Sequence, residues 1–364
     1  MDRFSLTRCE IDLDRFEHNI EQVKTLAGGS KPMAVIKADA YGHGAAVLMR
    51  KLFSHGVDFY GVANIGEAME LRRTFHRGNI LVLGFTPPHL MHYAADYGVS
   101  LTVFSLEQAR ALNAVGQPAS VHIKINTGLH RLGFAPTEQS VREIVEISRM
   151  ENITIEGIFS HFAQGSEEED RAQYEIFRLM TEWLEDEGVE LGYKHMCDGI
   201  ALGKYGNMGL NMVRPGALVY GLRGFHKGYV EVTQAMAFKT RISQLHRIKA
   251  GEGVGYDYLW RAARDSVIAT LPFGYADGYP RNMRDKGYVT IRGMKCPLVG
   301  VLCMDQCMAD VTDVANVAEG DEAVIYGSGR DNTMDIPEAA ALAGTNKNEI
   351  IARILARPPR VYIK

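Results

Sequence analysis

Val35-Ile36-Lys37-Ala38-Asp39-Ala40-Tyr41-Gly42-His43-Gly44 closes a short apolar run that begins at Met33. A lysine ending an apolar run sits where a strand leaves the core. Desolvation there disfavours the ammonium and lowers its pKa. A neutral amine can form a Schiff base with an aldehyde. Tyr41 follows four residues on, and Gly42 and Gly44 let backbone approach a ligand closely. Lysine, hydroxyl and glycine turn together suit pyridoxal 5′-phosphate, which carries an aldehyde and a phosphate. The competing reading is a solvated strand-end lysine followed by an ordinary loop.

Working outward, this run is the first of a series. Strand-like stretches are Met33–Lys37, Asp58–Ala63, Asn79–Gly84, Ser100–Phe104, Ser120–Ile125 and Ile153–Ser160, with shorter ones near Tyr193–Cys197 and Met212–Tyr220. Helix-like stretches alternate with them: Ala45–Ser54, Ile65–Phe75, Leu106–Ala114, Thr137–Met150 and Glu167–Glu187. Such alternation predicts a parallel sheet with helical crossovers. About eight repeats predict an α/β fold, a closed (β/α)8 TIM-type barrel, over residues 10–230. An open doubly wound sheet is the alternative, but no GxGxxG follows a first strand. Beyond residue 230 the texture changes to short strands, Ser266–Leu271, Tyr288–Ile291, Leu298–Cys303 and Glu322–Tyr326, with one helix-like stretch at Pro337–Ala343. Residues 231–364 read as a mainly β C-terminal domain, with residues 1–9 a candidate to pair with it.

Composition narrows the function classes. A chain of 364 residues that is 46% hydrophobic can bury two cores. The net charge of −4 gives no nucleic-acid or membrane-surface signal. No apolar stretch approaches the roughly 18 residues of a membrane span. Met1 to Glu10 is polar and mixed in charge, unlike a secretory signal. Five cysteines without framework spacing fit a reducing cytoplasm, and no His/Cys quartet suggests a metal.

In a (β/α)8 barrel, active sites lie at the C-terminal strand ends. Candidates recur at that edge: Lys37; Lys124 to Arg131 after Val121-His122-Ile123; His161 after Ile158-Phe159-Ser160; and Arg214-Pro215-Gly216 before Ala217-Leu218-Val219-Tyr220.

The chain resembles the alanine racemase family over nearly its whole length. The residues 35–44 are similar to that family's cofactor-lysine motif, and Lys124-Ile125-Asn126-Thr127-Gly128-Leu129-His130-Arg131 to its lysine-to-arginine segment. Ser160-His161-Phe162, Val213-Arg214-Pro215-Gly216 and Gly255-Tyr256 look like its barrel histidine, pyridine-arginine strand and catalytic tyrosine turn. Gly274-Tyr275-Ala276-Asp277-Gly278-Tyr279 and Cys303-Met304-Asp305-Gln306-Cys307-Met308 match motifs of its second domain. The resemblance implies a homodimer with shared sites, pyridoxal 5′-phosphate as cofactor, and interconversion of L- and D-alanine, which supplies D-alanine for the cell wall.

It also implies roles. Lys37 would hold the cofactor and exchange the α-proton on one face, and Tyr256 of a second subunit would exchange it on the other. Two fixed groups can take and give a proton without moving. A neutral tyrosine, with a pKa of about 10, is a poor base; a cationic surround from His161 and Arg214 would lower it. Arg214 would face the pyridine nitrogen as a donor that keeps its protons. Arg131 would orient a carboxylate or ring oxygen. Lys124 matches a position carbamylated in some members; an unmodified surface lysine is the other reading. Tyr275 and the Met304 N–H would meet the substrate from across the dimer. Tyr41, Gly199, Gly216 and Ala217 would hold the phosphate.

Two departures fall near that phosphate. Asp198-Gly199 stands where the family has Asn-Ser, and Ala356 where it often has tyrosine. They open the choice of amino acid, serine being the nearest competitor to alanine. A barrel-type amino-acid decarboxylase is a further reading, disfavoured because it wants an acid on the pyridine nitrogen. A cofactor carrier is disfavoured by the second domain.

Overall fold

The structure is a computed structural model describing residues 5–222 and 230–364. Strand β1 (Arg8–Asp12) comes first. Eight parallel strands then close a barrel: β2 (Lys31–Val35), β3 (Phe59–Val62), β4 (Asn79–Val82), β5 (Ser100–Val103), β6 (Ala119–Lys124), β7 (Ile153–Phe159), β8 (Tyr193–Asp198) and β9 (Met212–Arg214). Closure is made by β2 against β9, with Lys31 opposite Met212. The α/β barrel expected from the alternation is therefore present.

Local sequence explains the crossovers. The helices Ile65–Thr74, Leu106–Asn113 and Glu138–Ser148 each start with a side-chain cap, from Asn64, Ser105 and Thr137. Ser166 and Glu169 form a reciprocal capping box on Glu167–Asp186. Leu13–Ala27 is a further helix, bracketed by Asp12 and by Gly28 at φ 58°. One end of the barrel interior is filled by Met33, Phe59, Leu81 and Met212, a packed layer and not a pore.

The rest forms a nine-stranded sheet. It comprises β10 (Met236–Arg241), β11 (Gln244–Ile248), β14 (Ser266–Leu271), β15 (Tyr288–Ile291), β16 (Met294–Val299), β17 (Cys307–Asp310), β18 (Glu322–Tyr326) and β19 (Arg360–Ile363), together with β1. A small separate ribbon joins β12 (Gly253–Val254) to β13 (Trp260–Arg261). β1 lies between β10 and β19, so residues 8–12 belong to this sheet.

Three expectations need correction. The first barrel strand ends at Val35, two residues before Lys37. The expected strand Met212–Tyr220 stops at Arg214, and Ala217–Tyr220 is a 3-10 turn. Pro215 has no N–H to continue the ladder. The run Leu298–Cys303 is displaced, since the strand there is Met294–Val299.

Lys37–Gly42 is a single left-handed helical turn: Ala38, Asp39, Ala40 and Tyr41 have φ of 52°, 51°, 55° and 53°. Each such non-glycine residue costs about 1–2 kcal/mol. The surroundings hold it. Glu67 accepts from Ala38 N–H (2.8 Å) and Ala63 N–H (2.8 Å), Asp39 accepts from Ala45 N–H (2.7 Å), and Arg360 of β19 donates to Gly42 O (2.8 Å).

Gly44, at φ 95°, ends this turn, and a Cβ there would lie 1.9 Å from Tyr362 Oη. Gly44→Ala should therefore cost at least about 2 kcal/mol, from overpacking and backbone strain together. Urea unfolding measures it; a midpoint equal to that of the parent would show that the second domain does not press on this turn.

Candidate active site

A cavity of about 510 Å³ opens at the C-terminal strand ends. Its wall includes Lys37, Tyr41, Lys124, Arg131, His161, Asp198, Gly199, Arg214, Gly216, Ala217 and Lys347. Five of its side chains are basic (Lys37, Lys124, Arg131, Arg214, Lys347) and one, Asp198, is acidic. Such a wall is built for an anion. Every barrel residue singled out from the sequence meets here.

Arg214 is the anchor. Its guanidinium is buried, and burial lowers its pKa to about 10, still protonated at neutrality. Nη2 donates to Ser160 O (2.7 Å), Met196 O (3.0 Å) and His161 Nδ1 (3.2 Å); Nη1 donates to His195 Nδ1 (2.7 Å). Arginine can only donate, so His195 must accept at Nδ1 and carry its proton on Nε2. That proton meets His122 Nδ1 at 2.7 Å. His122 in turn carries a proton on Nε2, which faces Glu156 Oε2 at 3.3 Å. One donor thus dictates both tautomers, along a chain running through the barrel from Arg214 to a carboxylate. Burial first, then the charge of Arg214 for His195 and despite Glu156 for His122, pushes both imidazoles below the ordinary histidine range. Burial pushes Glu156 up, but hydrogen bonds from His122 and Ser100 hold it low. This relay is absent from the sequence reading; His122 and His195 were visible only as polar residues in apolar strands.

Burial, then Arg214, Arg131, Lys124 and Lys37, drop the pKa of His161 to about 2. His161 is therefore neutral, and the expectation that it supplies positive charge is corrected: four cations around one imidazole exclude a fifth. Lys37 reaches into the cavity. Desolvation and the charge of Arg131 lower its pKa, with Glu67 opposing. Lys124 is buried, donates to Ile125 O (2.7 Å) and Ser160 Oγ (3.3 Å), and is lowered to about 7 by burial and then by Arg214 and Arg131. It is not a surface lysine.

At the other end, burial raises the Tyr41 phenol to about 12, so it stays a hydrogen-bond donor. A Cβ on Gly216 would lie 2.8 Å from Tyr41 Oη, which places that hydroxyl against the Gly216 backbone. The N–H groups of Gly216 and Ala217 find no acceptor among the described residues. A hydroxyl and two free amides facing one space fit a phosphate. Asp198 turns away as the phosphate reading requires: Oδ1 caps Ile200 N–H (3.0 Å) and Ala201 N–H (2.9 Å), and Oδ2 accepts from Gln164 (2.7 Å). Gly199 is explained by packing, since a Cβ there would sit 3.1 Å from Leu218 Cγ.

The second-domain candidates are not in the cavity. Tyr256, Tyr275 and Met304 are 68%, 39% and 53% exposed. The Tyr275 turn and the Met304 loop are tied together, with Ala276 N–H on Met304 O (3.0 Å). Arg357 clamps both, through Asp277 (2.6 and 2.7 Å) and Asp305 (2.5 Å). Ala356 is exposed and does not line the cavity, so within one chain its small side chain frees no space there. Lys347 and Asn348, which the sequence reading did not single out, do line it.

Fold and cavity together define a barrel protein with a predominantly basic cavity wall and a lysine of lowered pKa in it. Comparison with known proteins is more specific. The alanine racemase N-terminal domain matches residues 11–224 and the alanine racemase C-terminal domain residues 235–362. The alanine racemase of Clostridium tetani (strain Massachusetts / E88) is 37% identical over 367 residues, which cover 98% of this chain and 95% of that one. The solved alanine racemase of Clostridium difficile 630 superposes with a TM-score of 0.94 at 35% identity, covering 98% and 95% of the two chains. That of Bacillus anthracis, solved with bound L-Ala-P, gives 0.93 at 27% identity, covering 100% and 96%. The chain belongs to the alanine racemase family.

His43, in the lysine turn, is fully buried with Nδ1 on Ala40 O (3.0 Å), and burial lowers its pKa to about 4. Its folded pKa lies below the unfolded value of about 6.5, so the unfolded chain binds the extra proton between these values. Stability should fall as pH drops from about 6.5 to 4. His43→Phe should flatten the slope of unfolding free energy against pH by about one proton in that window. An unchanged slope would mean that His43 is charged in the folded protein.

Proposed function

We propose that this chain interconverts L- and D-alanine using pyridoxal 5′-phosphate, in a homodimer whose two sites are each completed by the partner copy. The observation that carries this is the cavity: five basic side chains and a neutral imidazole around a space that ends at Tyr41 and the amides of Gly216 and Ala217. When bound there, the cofactor acidifies the α-proton of an amino acid joined to it.

The chain's own residues then divide the work. Lys37, whose amine is shifted toward the neutral form, holds the cofactor and moves the α-proton on one face. Tyr256 does so on the opposite face, reaching in from the second copy; its exposure in a single chain, with that of Tyr258 and Leu259, fits a surface awaiting a partner. Arg214 offers the ring nitrogen a hydrogen bond but no proton. That weakens the electron sink and favours reprotonation at the α-carbon over transamination or decarboxylation. Arg131 orients the carboxylate, assisted by Tyr275 and the Met304 N–H of the second copy. Lys124, with its pKa near neutrality, is primed to react with carbon dioxide; the carbamate would offset the charges of Arg131 and Arg214. Five free cysteines and the absence, among the described residues, of any helix able to cross a membrane are compatible with a cytoplasmic setting.

L-alanine incubated with the wild type in deuterated water should become α-deuterated and appear in both hands. Lys37→Ala and Tyr256→Phe should each lose on the order of 10²–10⁴ in rate. Mixing the two variants with proven subunit exchange should restore activity, because one intact Lys37–Tyr256 pair is regenerated per mixed dimer. Serine, run in the same assay, should be the poorer substrate. No deuterium in alanine defeats the proposed activity; deuterated alanine without rescue on mixing defeats only the shared site.

A further inference from the structure

Lys347 lines the cavity although it belongs to the second domain. It is the first residue of the helix Lys347–Ala352, capped by Asn346. A cation at a helix N-terminus opposes the dipole, so neither helix formation nor capping explains a lysine here. The side chain is half-buried, and among the described residues its amine has one long contact, with Leu222 O at 3.4 Å. Among those residues, two of its three donors are left for the cavity. Leu222 N–H bonds Ala217 O at 3.0 Å. The contact with Leu222 therefore anchors the amine beside the turn that presents the free Gly216 and Ala217 amides.

The phosphate end is otherwise short of donors. Gly199 has no hydroxyl, and the Leu218 side chain fills the space that one would need. The Ile200 and Ala201 amides are spent on the Asp198 carboxylate. Ala356 does not reach the cavity. What remains among the described residues is Tyr41, the amides of Gly199, Gly216 and Ala217, and a carboxylate nearby whose charge opposes a dianion. A cation within that wall offsets Asp198 and supplies the missing donors. Desolvation lowers the Lys347 pKa while Asp198 raises it, the behaviour of an amine that gains from an arriving anion.

Resting on the cofactor reading above, we propose that Lys347 binds the phosphate of the cofactor, replacing by charge the donors that Gly199 and Ala356 cannot supply. It also makes cofactor retention depend on the second domain, since this lysine reaches the barrel from outside it.

The test compares pyridoxal 5′-phosphate with pyridoxal, which lacks the phosphate. Full-length protein stripped of cofactor with hydroxylamine is titrated with each by equilibrium dialysis. Lys347→Met should weaken the phosphate ester by about 10- to 100-fold and leave pyridoxal within about twofold. The phosphorus resonance of the bound ester should also shift. Lys347→Arg, which keeps the charge, should retain affinity for the ester within about fivefold and serves if the methionine variant does not fold. Equal weakening of both compounds, or no weakening of either, overturns the proposal while leaving the cofactor reading intact. A wild type that binds neither compound overturns both.

Discussion

A guanidinium buried inside a barrel must find acceptors or unfold it. Arg214 finds them in Ser160 O, Met196 O, His161 and His195, and each choice constrains something else. Because arginine never accepts, His195 is fixed in one tautomer, then His122, and the chain must end on an acceptor, Glu156. The positive charge of Arg214 is thus balanced at a distance, through two neutral rings. Removing any member would leave a buried donor or acceptor unpaired, at about 1–3 kcal/mol. The same charge keeps His161 neutral and helps bring Lys124 near neutrality. The electrostatics of the cavity follow from one side chain and the burial that surrounds it.

The second constraint is the left-handed turn that carries Lys37. Four consecutive residues with positive φ are unfavourable in isolation. They persist because Glu67 on the barrel side and Arg360 and Tyr362 on the sheet side hold the backbone. Strain of this kind collects at functional positions. It aims the lysine into the cavity while Tyr41, at the end of the turn, points to the phosphate end. The nine-stranded sheet therefore does more than cover the barrel. It pins the turn through β19 and contributes Lys347 to the wall.

Much of this could be read from the chain. Apolar runs spaced by capped helices announce the barrel, because strand length and cap chemistry are local properties. Ala45–Ser54, Ser266–Leu271, Tyr288–Ile291 and Glu322–Tyr326 fall where local signals put them. The barrel half of the site was legible too, since Lys37, Arg131, His161 and Arg214 follow strand ends. Non-local features were not. β1 and β19 pair although more than three hundred residues separate them, and β1 is short and mixed in character. The His195–His122–Glu156 relay joins three strands, and the register shift opposite Val121/His122 makes Glu156 an extra residue that breaks simple alternation on β7. The left-handed turn is invisible because Ala38–Tyr41 contains no glycine. Leu13–Ala27 is a different case: Asp12 and Gly28 bracket it plainly, and the reading of the sequence placed no helix there. Lys347 could have been flagged as a cation at the wrong end of a helix.

The central claim is that a donor-only Arg214 is held by neutral histidines. Nitrogen-15 NMR of histidine-labelled protein tests it directly, with His195→Gln and His122→Gln for assignment. The account predicts neutral-ring shifts for both residues at neutral pH, with any titration displaced below the ordinary histidine range, the ring proton on Nε2 in each and a pyridine-like Nδ1. Titration of either ring to the imidazolium near its ordinary pKa of about 6.5, or the opposite tautomer at His195, would contradict it.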